Sequence, residues 1–139
     1  MDALEKLLIK DECQALSLRF GRLQDERRYE ELPGLMTADG TYTRLGEELI
    51  IADFIEWVGT MPPNKTRHFV TPTEINVIDS SSSTGLTYYT LYLYGGDNQP
   101  PYPLNGPFVV GEYQEEFSKT ENGWKIRRRK AIIIFKQNN

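Results

Sequence analysis

Four long runs rich in β-branched and aromatic residues fill the second half of this chain and constrain its fold more than any other feature. Arg67 to Ile78, Thr84 to Tyr94, Phe108 to Lys119 and Trp124 to Lys136 all have strand composition. Turn-forming stretches separate them: Asp79 to Ser83, the Pro/Gly-rich segment from Gly95 to Pro107, and Glu121-Asn122-Gly123. The polar run Ser80 to Ser83 reads as a hairpin tip. Strands of 11 to 13 residues cannot stay flat, so they predict a strongly twisted, curved sheet. Pro72 has no N–H to give a ladder and is expected at a bulge or an edge.

The first third is helical. Ile9, Cys13, Leu16, Phe20 and Leu23 recur at spacings of four, three, four and three, on one face of a helix. Asp11 followed by Gln14 resembles a capping box, so this helix starts or restarts there after a short leading helix around Leu4 to Leu8. A second helical piece spans Glu26 to Leu32 and breaks at Pro33-Gly34. Thr37-Ala38-Asp39-Gly40 has turn chemistry, and Thr41 to Arg44 reads as a short strand. Apolar residues between Ala52 and Val58 predict a third helix. Helices followed by a long, mostly antiparallel sheet give an α+β class. The expected form is a cone-shaped α+β barrel with three N-terminal helices on the concave face and a pocket between the layers.

A length of 139 residues fits one domain, 1–139. Sixteen Lys and Arg against twenty Asp and Glu argue against nucleic acid, which needs a basic stripe. No apolar run approaches the ~20 residues that span a bilayer, so no membrane partner is expected. The acidic-polar amphipathic start is unlike a secretory leader, and a single cysteine, Cys13, excludes an internal disulfide. A cytoplasmic setting is therefore expected. One His and one Cys also make a zinc or transition-metal site unexpected.

That one histidine, His68, lies in Thr66-Arg67-His68-Phe69-Val70 at the head of the first long run. Its side chain is the one whose ordinary pKa lies near neutrality, which makes it the natural base for proton chemistry. A solvated or core-satisfied histidine is the alternative.

Leu16 to Leu32, Asp39-Gly40-Thr41-Tyr42, Thr66 to Phe69, Gly111-Glu112-Tyr113 and Gly123 to Ile126 fall in the order and spacing of a known superfamily. The chain resembles the nuclear transport factor 2-like superfamily, in its SnoaL-like branch. That branch includes scytalone dehydratase, bile-acid 7α-dehydratase and hexachlorocyclohexane dehydrochlorinase. In such enzymes a His at the start of the third strand pairs with an Asp just after the long first helix; His68 and Asp25 fall on those positions. A carboxylate accepting Nδ1–H fixes the imidazole tautomer and leaves Nε2 to take a substrate proton. Asp25 could instead, or also, cap the following helix.

The resemblance places an arginine that steadies a departing anion at Arg129. Strand alternation puts Arg127 and Arg129 on one face and Arg128 on the other, but both faces are mixed and do not choose between them. Tyr42 matches a tyrosine that polarises a substrate carbonyl through water. Tyr89 replaces a second histidine, a departure that removes a base. Tyr89, Tyr113, Phe20 and Trp57 are the candidate substrate-binding aromatics, although each alone could be core. Phe20 and Arg44 stand where ketosteroid isomerase has its Tyr and Asp, which argues against that mechanism.

Together these readings predict a cofactor-independent enzyme acting on an apolar, cyclic small molecule. His68, Asp25, Arg129 and Tyr42 form its catalytic group, and the outcome is elimination, isomerisation or cyclisation. A homo-oligomer, dimer or trimer, is expected. The competing reading is a non-catalytic ligand-binding or assembly domain.

Overall fold

The computed structural model of the chain describes residues 1–138. Helix α1, Ala3–Asp25, runs without a break. The restart expected at Asp11 does not occur, because Asp2 caps the helix with its carboxylate accepting the Glu5 N–H at 2.8 Å. At the other end Arg28 N–H donates to the Leu23 carbonyl at 2.9 Å and Arg27 N–H to that of Gln24 at 3.1 Å. Arg27 adopts φ +61 between them, a Schellman closure with arginine where glycine is usual. The second helical piece is a 3-10 helix, Tyr29–Leu35, shifted from the expected span and running through Pro33. A turn this short leaves few N–H groups to lose, so the proline does not end it.

Strand β1, Met36–Arg44, absorbs the expected turn at Thr37 to Gly40 as a bulge. Its parallel register on the last strand jumps from Met36 opposite Ile126 to Thr41 opposite Arg128. Gly40 makes the bulge possible, since a Cβ there would stand 2.9 Å from that of Met36. Strand β2, Glu47–Ile50, was not anticipated; it folds back on β1 through Leu45 and Gly46, both at positive φ. Helix α2, Ile51–Gly59, is the third helix. The run from Arg67 to Ile78 divides at Thr71-Pro72-Thr73 into β3, Lys65–Val70, and β4, Glu74–Val77. Both pair with β5, Ser82–Tyr94. Strands β6, Val109–Thr120, and β7, Gly123–Lys136, complete the sheet.

The sheet order is β2-β1-β7-β6-β5-β3, with β4 beside the far end of β5. Every pairing is antiparallel except β1 with β7. The architecture is α+β and cone-like, but the curved sheet stays open rather than closing as a barrel. Helix α1 crosses the concave face and seals one end of it around Phe20, Leu23, Leu32, Phe117 and Ile126. Its buried stripe includes Ser17, Gly21 and Gln24 as well as the apolar residues. A second cluster of Tyr89, Val109 and Tyr113 sits further along the concave face.

Candidate active site

Alternation along β3 turns Thr66, His68 and Val70 to the concave side, while Arg67 and Phe69 face out. His68 there meets the end of α1. Its Nδ1 lies 2.6 Å from Asp25 Oδ1, and both side chains are about nine-tenths buried. Asp25 Oδ2 accepts the His68 backbone N–H at 2.9 Å, and Thr66 Oγ1 donates to Oδ1 at 2.9 Å. Burial alone would raise the Asp25 carboxyl. The hydrogen bonds from the His68 ring and backbone, the imidazole's charge and the Thr66 hydroxyl outweigh it and hold the group below its ordinary value. Facing an ionised Asp25, a neutral imidazole carries its proton on Nδ1 and turns the Nε2 lone pair away from the carboxylate.

The alternative role for Asp25 is excluded. It is the last residue of α1 and caps nothing, since Arg28 precedes the 3-10 helix. A carboxylate in the last turn also opposes the helix dipole. Helix stability does not explain its position; the two strand residues that it binds do.

His68 opens onto a cavity of about 540 Å³ between α1, α2 and the sheet. Tyr42, Tyr89, Tyr113 and Trp57 line it, together with Phe54, Leu91, Leu93 and Ile133. Tyr89 stacks on Tyr113 at 4.2 Å between centroids, and the His68 ring lies 6.4 Å from Tyr89. Tyr42 stacks on Phe54 at 4.1 Å. Burial pushes the Tyr42 phenol up to about 12, so it serves as a hydrogen-bond donor. Tyr89 and Tyr113 are raised by the same cause. A larger hollow of about 710 Å³ lies on the other side of β3 and β5, beneath the connection between β5 and β6, but the dyad does not reach it.

Arg129 and Phe20 are brought close to this cavity without lining it. In register, Arg129 stands between Tyr42 of β1 and Glu115 of β6 in one row across the concave face. Helix α1 lies on that row. Arg129 Nη1 donates to Glu115 Oε2 at 2.7 Å and to Ser17 Oγ at 3.2 Å, and Ser17 donates to Glu115 Oε1 at 2.6 Å. Its guanidinium lies 3.7 Å from the Tyr113 ring centroid and 4.6 Å from that of Phe20. Burial disfavours its charge, but Glu115 outweighs that and keeps it a cation. Direct contact of Arg129 or Phe20 with a cavity occupant therefore gives way to a place one layer behind the wall.

The SnoaL-like domain family matches residues 5–130, most of the chain. The chain belongs to this SnoaL-like family. Its superfamily is the nuclear transport factor 2-like one. Solved structures share the fold at low identity. One is described only as a candidate scytalone dehydratase of Novosphingobium aromaticivorans, at 15% identity and TM-score 0.81, covering 99% of this chain and 92% of that one. Another is a hexachlorocyclohexane dehydrochlorinase, LinA type 2, at 14% identity and TM-score 0.78, covering 98% and 92%. A third, a protein of unknown function from Mycobacterium tuberculosis, has 21% identity and TM-score 0.75, covering 96% and 76%. No curated protein sequence matches.

Several polar groups of this SnoaL-like cavity were not singled out from sequence. Gln24 lines it with a buried Oε1 that has no partner among the described residues. Arg27, Arg44, Asn64, Thr66 and Lys136 are also in the wall. The spacing of Gln24 from Phe20 and Ser17 on α1 could have pointed to it. Nothing local marks Lys136. Among the described residues no cluster of His, Cys, Asp or Glu is arranged to hold a metal ion. Cys13 is buried beside Ser83, and burial pushes its thiol up to about 11, so it is not a nucleophile.

Proposed function

We propose that this SnoaL-like chain is a cofactor-independent enzyme of the lyase or isomerase type, acting on an apolar cyclic substrate. The observation that carries the reading is the 2.6 Å bond from Asp25 to His68 Nδ1 at the wall of a tyrosine-lined cavity. His68 Nε2 takes a proton from carbon and becomes an imidazolium, whose charge Asp25 stabilises. The electron pair left on carbon delocalises onto an adjacent carbonyl, and the Tyr42 hydroxyl donates to that oxygen. Arg129 acts through Tyr113 and Tyr42, behind which its charge lies, as a positioning residue. Elimination, isomerisation and cyclisation share this first step, and substrate decides among them. The names of the fold neighbours, a dehydrochlorinase among them, agree with such chemistry. The outer sheet face exposes Phe69, Tyr88, Ile134 and Phe135, which supports self-association into the expected homo-oligomer.

Because the first step is common, its test needs no knowledge of the natural product. Deuterium incorporation α to the carbonyl of 2-tetralone in D2O, followed by NMR, reads carbon-acid proton transfer directly. The wild-type chain is expected to accelerate exchange, with His68→Ala and Asp25→Asn each losing about 10²–10⁴-fold while keeping a folded thermal transition. Equal exchange by wild type and His68→Ala would overturn the proposal and favour a binding domain.

A further inference from the structure

The charge of the cavity wall runs against the charge of the chain. Acids outnumber bases by twenty to sixteen overall, yet the wall carries Arg27, Arg44 and Lys136 and, among the described residues, no Asp or Glu. Arg27 is committed to Tyr29 and to Asn64. Arg44 is not committed. It makes no hydrogen bond or ion pair among the described residues, including with its cross-strand neighbour Glu47, and its Nε is buried without a partner. The Trp57 ring, 3.7 Å from its guanidinium carbon, holds one face of it. A part-buried cation fixed in orientation and lacking a counter-ion is costly unless something else supplies the charge.

The two ends of the cavity then differ. Arg44 sits on β1 and His68 on β3, with β7, β6 and β5 curving between them. Both line one hollow, and Tyr89 of β5 and Tyr113 of β6, stacked on one another, belong to the strands that lie between theirs in the sheet. We infer that the substrate is an anion: an apolar ring system bearing a carboxylate, with the carboxylate on Arg44 and the reacting carbon at His68. The planar guanidinium fork matches a carboxylate edge-on while Trp57 covers its face. Lys136 adds a second cation on the wall, with no ion pair among the described residues, which raises the local potential for an incoming anion. This inference rests on the catalytic reading only for the place of the reacting carbon; the anion site stands on Arg44 by itself.

Calorimetric titration with 2-naphthoate and its neutral isostere 2-naphthamide tests it. The expected result is a preference for 2-naphthoate of about tenfold to a hundredfold, falling as salt is added. In Arg44→Met most of the preference disappears, Lys136 leaving a small remainder, while 2-naphthamide binds as before; Arg44→Lys keeps a larger part of it. His68→Ala keeps all of it, so failure of the proton-transfer reading and failure of the anion site are separate results. No binding of 2-naphthoate up to its solubility limit, equal binding of the two probes by the wild type, or an undiminished preference in folded Arg44→Met overturns the inference.

Discussion

Among single residues, the site depends on a carboxylate at an unfavourable end of a helix. Asp25 opposes the dipole of α1 and is compensated by three hydrogen bonds from β3. Its folded value lies below its ordinary one, so the unfolded chain binds that proton more tightly. The resulting stability is fully present above the ordinary carboxylate range and is lost as pH falls through the lowered value. Urea unfolding of wild type and Asp25→Asn across this range is expected to show a gap that is constant near neutrality and closes in acid. A gap independent of pH would contradict the ionised pair. The residue pair itself was visible in sequence only through the family resemblance, because 43 positions separate its members.

Among the elements, β7 decides what faces the cavity. Its register on β6 shifts between Glu116 and Phe117, leaving Arg127 as an extra residue, and again between Val110 and Gly111, leaving Ile134. The first bulge lets Ile126 and Arg129 both point inward and sends Arg127 and Arg128 out to Glu116 and Glu48. The second turns Phe135 outward and brings Lys136 into the wall. Strict alternation would have reversed those last two. Gly111 sits at this second shift, where a Cβ would meet the Tyr89 ring at 2.8 Å and collide with the Ile132 carbonyl. Gly111→Ala is expected to cost about 1–3 kcal/mol in a thermal or urea transition. It also displaces Tyr89 and so weakens 2-naphthoate binding. An unchanged transition would show that the sheet yields there at no cost.

Across the molecule, α1 is tied to the sheet by the Ser17, Glu115 and Arg129 network, its two charges fully enclosed. Such a pair contributes less to stability than its loss costs, because the surviving charge is left without a partner. Glu115→Leu alone is expected to destabilise by about 3–5 kcal/mol in urea unfolding, and the double variant with Arg129→Met by clearly less. Additive losses would mean that the two groups do not compensate one another. This buried tie also explains why the helix stripe departs from its apolar spacing at Ser17: the position faces a charge, not a hydrocarbon.

The α+β class, the curved sheet of long strands and a ladder irregularity at Pro72 were legible in the order of residues, although the run there divides into two strands and His68 lies in the middle of β3 rather than at its head. They follow from periodicity and backbone chemistry, which act over a few positions. Long-range packing was needed to leave the sheet open, and to set Arg129 under α1 while Arg44 and Lys136 line the cavity. Each of those depends on bulges and on contacts between segments far apart in the chain, where no local rule reaches.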